Sequence, residues 1–131
     1  MSHAITTTTI KLLSDTVTPV SIFMRIRDRF LSPCLLESND YRSSENSNSI
    51  IGFDPLASIE VRNGEVTLSH PDGAVSNLSL ERPMQIAEIF KDFMDSFSIN
   101  HEGDPAPING FVGHTNFDAV QYFDTLTLDP Q

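Results

Sequence analysis

The sequence predicts an α+β fold built on antiparallel strands with two main outer helices, and three observations carry that expectation. Asn63-Gly64 stands between two short runs of alternating apolar residues, the strongest local signal for a β-hairpin. Pro71-Asp72-Gly73 marks a second turn soon after it, so the strands form a meander. Ile86, Ile89, Phe90, Phe93, Met94 and Phe97 recur at helical spacing and give one amphipathic helix a wide apolar stripe.

In chain order, Ile5 to Leu13 opens with a threonine run, Thr6 to Thr9, and ends in Ile10-Lys11-Leu12-Leu13. Its β-branched residues predict a strand, with low complexity as the competing reading. Thr18 suits an N-cap and Pro19 the first helical position. From Val20 to Leu31 the apolar residues cover one arc, and Arg27 falls inside it, so Arg27 is expected to snorkel or to pair with a carboxylate. Ser32-Pro33 breaks this helix. Cys34-Leu35-Leu36 reads as a short strand ending in Glu37-Ser38, Asn39 to Asn48 as a polar loop, and Ser49 to Phe53 as a buried strand followed by an Asp54-Pro55 turn. Leu56 to Val61, Val66 to His70 and Ala74 to Leu80 are the strands of the meander. The second helix is expected over Pro83 to Phe97, a polar loop over Ile99 to Ile108, a strand over Gly110 to His114, and a short helical turn over Phe117 to Phe123. The tail from Asp124 to Gln131 has the makings of one more strand.

With 131 residues the chain suits a single domain. Eighteen Asp and Glu against eight Lys and Arg give a net charge of −10, which argues against binding nucleic acid or an anionic membrane surface. No stretch is apolar and long enough to span a bilayer, and the threonine-rich start lacks the pattern of a secretory signal. A single cysteine, Cys34, fits a reducing, cytoplasmic setting. The four histidines are scattered, with no metal-ligand spacing and no second cysteine, so neither a metal centre nor a catalytic constellation is read. What remains is Leu35-Leu36-Glu37-Ser38. A carboxylate beside a hydroxyl at a strand end can clamp an ammonium group, although spacing alone fits simple solvation of the strand end better.

Taken together and in order, several segments reverse that balance. Thr18-Pro19-Val20-Ser21, Leu35-Leu36-Glu37-Ser38, Ser49-Ile50-Ile51-Gly52-Phe53-Asp54-Pro55, Gly110-Phe111-Val112-Gly113 and Phe117 to Phe123 resemble the N-terminal region of anthranilate synthase component I, within the chorismate-utilising family. The resemblance runs over residues 15–124. It implies antiparallel sheets packed as a partial orthogonal sandwich with helices outside. It also implies an L-tryptophan feedback site, in which Glu37 and Ser38 hold the amino group, Leu36 lies beside it, and Pro19, Asn48 and Ser49 are nearby. The Leu-Leu-Glu-Ser form favours the anthranilate branch; the aminodeoxychorismate relative and a stand-alone ligand-binding or interaction module are the alternatives.

The family's activity converts chorismate and ammonia, delivered by a glutamine amidotransferase subunit, to anthranilate and pyruvate. By the resemblance, the chorismate and Mg²⁺ sites belong to a C-terminal catalytic region beyond Gln131, so no cofactor is expected in residues 1–131. These residues are then a regulatory and scaffold domain, inactive alone and with exposed edges open to homo-oligomer formation.

Overall fold

The computed structural model describes residues 2–37, 48–102 and 109–124. Along the chain these form β1 (His3–Thr8), α1 (Pro19–Ile26), β2 (Cys34–Glu37), β3 (Ser49–Gly52), β4 (Ser58–Arg62), β5 (Glu65–Ser69), β6 (Val75–Ser79), α2 (Gln85–Asp95), β7 (Phe97–Glu102) and a 3-10 helix, Phe117–Tyr122. Helices and mostly antiparallel strands make this an α+β fold, as the sequence predicts. The chain divides into two units, Lys11–Leu56 and the combination of Met1–Ile10 with Ala57–Gln131.

In the larger unit, β4, β5 and β6 form the antiparallel meander in that order. Arg62 pairs with Glu65 across the first turn. Asn63 (φ 50°) and Gly64 (φ 80°) both occupy the left-handed region, as the tight two-residue hairpin turn demands. At the second turn the His70 N–H donates to the Ala74 carbonyl at 2.9 Å, and the Ala74 N–H donates to Asp72 Oδ1 at 2.9 Å.

The pleat of β5 sends Val66 and Leu68 to one face, and both are buried. Ile86 and Phe93, one face of α2, cover them, with Ile59, Val61, Leu80, Ile89, Phe97 and Tyr122 around the rim. Burial of each such side chain contributes roughly 1.5–3 kcal/mol.

Three segments of this unit depart from the sequence expectation. Phe97 belongs to a strand, not to the end of α2. Ser96 turns the chain within one residue: its N–H donates to the Asp92 carbonyl at 3.1 Å and its hydroxyl to the Phe93 carbonyl at 2.7 Å. Of the expected loop Ile99 to Ile108, residues 99–102 belong to β7 (Phe97–Glu102), paired in parallel with β1 from His3↔Phe97 to Thr8↔Glu102, and residues 103–108 lie outside the described residues. β1 covers His3–Thr8, its last residue opposite Glu102, instead of running to Leu13. The expected strand over Gly110 to His114 is irregular chain. Its Phe111 ring instead contacts those of Phe90, Phe93 and Phe97, with centroids 6.0, 5.5 and 5.8 Å away. The short helical turn is present as the 3-10 helix, and its Tyr122 hydroxyl accepts the Gly64 N–H at 3.2 Å.

In the smaller unit, Thr18 and Ser21 cap α1 reciprocally: the Ser21 N–H donates to Thr18 Oγ1 at 3.2 Å and the Thr18 N–H to Ser21 Oγ at 3.0 Å. The helix ends at Ile26, five residues before the expected limit of Leu31. Beyond it Ser32 adopts a left-handed φ of 46°, and the Leu31 N–H is taken by Asp54 Oδ1, so the helical ladder cannot continue. Arg27 finds its carboxylate next door, Nε to Asp28 Oδ2 at 3.3 Å, on the surface. Helix α1 lies against both β2 and β3, which pair antiparallel. The expected loop 39–48, apart from Asn48, and the expected tail strand, apart from Asp124, lie outside the described residues.

Candidate functional site

The Leu-Leu-Glu segment is strand β2, and its partner β3 begins where the sequence reading placed the rest of the site. The register is Cys34↔Gly52, Leu35↔Ile51, Leu36↔Ile50 and Glu37↔Ser49. Residues directly opposite in an antiparallel pair share a face and stand about 4.5–5.5 Å apart at Cβ. Glu37 and Ser49 are therefore side-chain neighbours at one end of the pair, both exposed. Among the described residues the Glu37 carboxylate has no hydrogen-bond or ion-pair partner. An acceptor of this kind, next to a hydroxyl, is suited to a cationic nitrogen.

The pleat separates residues that the sequence lists side by side. Glu37, Leu35, Ser49 and Ile51 lie on one face, and Leu36, Cys34, Ile50 and Gly52 on the other. Asn48, exposed, precedes β3 directly, and Pro19, half-buried, opens the helix that covers the pair. Ser38 lies outside the described residues.

The opposite end of the pair holds a feature that the sequence reading assigned only to a turn. The Leu31 N–H donates to Asp54 Oδ1 and the Asp54 N–H to the Leu31 carbonyl, each at 2.8 Å. Beside this clamp the rings of Phe30 and Phe53 meet at 4.6 Å. Gly52 packs closely there: a Cβ on it would stand 3.0 Å from Cys34 Sγ, so a larger residue needs the thiol to shift. The clamp closes this end of the pair, and Cys34↔Gly52 beside it lies three residues, about 10 Å along the strands, from Glu37↔Ser49.

Elsewhere, His70 bridges the meander to its neighbours. Its ring lies 5.3 Å from that of His3 and 5.5 Å from that of Phe93, and its Nε2 stands 3.3 Å from Ser76 Oγ. The Ala74 N–H, and after it the nearby His3 and His70, hold the Asp72 carboxyl below its ordinary value of 3.8. Among the described residues no three His, Cys, Asp or Glu side chains converge as a metal site, and no helix is long and apolar enough to cross a membrane.

Over 116 residues, 86% of this chain and 22% of the relative, the sequence is 28% identical to anthranilate synthase component 1 of Acinetobacter calcoaceticus. Over 112 residues, again 86% of this chain and 22% of the relative, it is 25% identical to anthranilate synthase component 1 of Methanothermobacter thermautotrophicus. The chain therefore spans about a fifth of the length of the curated relatives it matches. No protein-family profile matches it, and no solved structure does. The resemblance first read from its ordered motifs is thus borne out along most of the chain: by sequence, this protein is similar to anthranilate synthase component 1.

Proposed function

We propose that this chain is the N-terminal regulatory and scaffold part of an anthranilate synthase component I, and that it contributes an L-tryptophan feedback site. In this reading Glu37 receives the tryptophan ammonium, Ser38 and Ser49 supply adaptable hydrogen bonds, and Leu36, Asn48 and Pro19 flank them. The observation that carries the reading is the exposed Glu37 carboxylate, without a partner among the described residues, held in register opposite Ser49. The similarity to two anthranilate synthases, and the Leu-Leu-Glu-Ser form itself, favour this branch over aminodeoxychorismate synthesis.

The whole protein would convert chorismate and ammonia from a glutamine amidotransferase subunit to anthranilate and pyruvate, with Mg²⁺ and chorismate held outside residues 1–131. Tryptophan would act by binding one arrangement of the protein better than another, since a ligand shifts an equilibrium only by its differential affinity. Anthranilate formation by the full-length protein, followed with rising tryptophan, tests the reading. Inhibition in the wild type that is lost in Glu37→Ala and Ser38→Phe supports it; equal inhibition in all three refutes the site, and no anthranilate formation in the wild type refutes the family function.

A further inference from the structure

The sequence contains two Asn-Gly steps, Asn63-Gly64 and Asn109-Gly110. Such a step is chemically fragile, because glycine has no side chain to shield its own backbone nitrogen. That nitrogen attacks Cγ of the preceding asparagine. The new N–C bond closes a cyclic imide, the carboxamide C–N bond breaks, and ammonia leaves carrying the glycine amide proton. Water then opens the imide at either carbonyl, leaving aspartate or isoaspartate. We propose that Asn109-Gly110 is a spontaneous deamidation site of this protein, and that Tyr122 shields Asn63-Gly64 from the same reaction.

The two steps share their chemistry and differ in geometry. Gly64 is held by both of its backbone groups: its N–H donates to Tyr122 Oη at 3.2 Å, and its carbonyl accepts from the Leu80 N–H at 2.8 Å. Asn63 and Gly64 are also fixed in the left-handed region by the hairpin turn. Attack on Asn63 Cγ requires the Gly64 nitrogen to release its proton and to rotate, and both demand that these bonds open. Tyr122 does not yield readily, since its ring packs against the core of the larger unit.

Asn109 and Gly110 are exposed and lie in irregular chain. Among the described residues the Gly110 N–H has no partner, and no atom stands within 4 Å of the place a Cβ would occupy. The Asn109 side chain meets Thr7 of β1: Nδ2 donates to Oγ1 at 3.2 Å, and the threonine hydroxyl donates to Oδ1 at 3.4 Å. Conversion removes the Nδ2 donor, adds a negative charge, and as isoaspartate lengthens the main chain two residues before Phe111. The product therefore loosens the segment that carries Phe111 from β1.

Peptide mapping by mass spectrometry, with an isoaspartyl methyltransferase to report isoaspartate, follows both steps as the 131-residue chain ages at mildly alkaline pH. Asn109 is expected to convert roughly tenfold faster than Asn63, the factor set by opening one or two ordinary hydrogen bonds. Tyr122→Phe is expected to accelerate conversion at Asn63 alone, and Gly110→Ala to suppress it at Asn109. In concentrated urea the two rates should converge. Hydrogen exchange, slow at the Gly64 amide and fast at Gly110, checks the geometry without a variant. Conversion of Asn63 as fast as Asn109 in the folded protein, or a difference that persists in urea, overturns the proposal.

Discussion

Asp54 holds Leu31 by two reciprocal hydrogen bonds of 2.8 Å across 23 residues of sequence, and this clamp closes the end of the β2–β3 pair opposite Glu37. Asp54 sits at a left-handed φ of 49°, which aspartate and asparagine tolerate better than other side chains. The Asp54→Ala variant should lose about 1.5–3 kcal/mol, from the carboxylate bond and the unfavourable φ together. Asp54→Asn keeps an acceptor oxygen and the φ tolerance, so it should recover most of that loss. Urea unfolding of the two variants, with hydrogen exchange at the Leu31 amide, checks the order.

Phe93 is 3% exposed at the centre of the larger unit, and Phe117 is 81% exposed in the 3-10 helix. Truncation of Phe93 to alanine should therefore cost about 3–5 kcal/mol, as for other buried aromatics. The same change at Phe117 should stay within about 0.5 kcal/mol. Similar losses at both positions would contradict the assignment of the core to the β5–α2 face.

Asp72 supplies a pH signature. The Ala74 N–H bond lowers its folded-state pKa below the ordinary 3.8, so its contribution to stability is present above that value and disappears as pH falls through the lowered one. Asp72→Asn retains an acceptor for the Ala74 N–H but does not titrate. The difference in urea midpoint between wild type and variant should be flat above pH 3.8 and should narrow below it. A difference independent of pH down to the acid limit would show that the Ala74 bond does not depend on the charge of Asp72.

Several strands have open edges. In the described residues β1 and β7 pair only with each other, and β4 and β6 flank β5. Leu12, Leu13 and Phe117 are strongly exposed as well. Open edges and exposed apolar side chains promote association, so the 131-residue chain should self-associate with rising concentration in light scattering. A monomer at all concentrations would contradict that expectation.

Much of the fold was legible because its signals are local. Asn63-Gly64 dictates a hairpin turn through its own φ preferences, and the Ile86-to-Phe93 spacing dictates which face of α2 is buried. The parallel β1–β7 pair was not legible, since its partners lie almost a hundred residues apart and β7 has no sustained alternation of apolar and polar residues. The same division runs through the candidate site. Glu37 and Ser49 were both named from the sequence, yet only strand register makes them neighbours and sets Leu36 on the opposite face. The Asp54 clamp was hidden for a related reason: Asp-Pro signals a turn, while the carboxylate's partner lies 23 residues upstream.

Calorimetric titration of the full-length protein with L-tryptophan tests most directly the proposed role of Glu37 as receiver of the ammonium group. A charge-assisted hydrogen bond contributes about 1.5–3 kcal/mol, so Glu37→Ala should weaken binding by roughly 10- to 100-fold. Ser38→Phe should weaken it too, by removing the hydroxyl proposed to bond the ammonium. Tryptophan affinity unchanged in both variants, or absent from the wild type, would contradict the account.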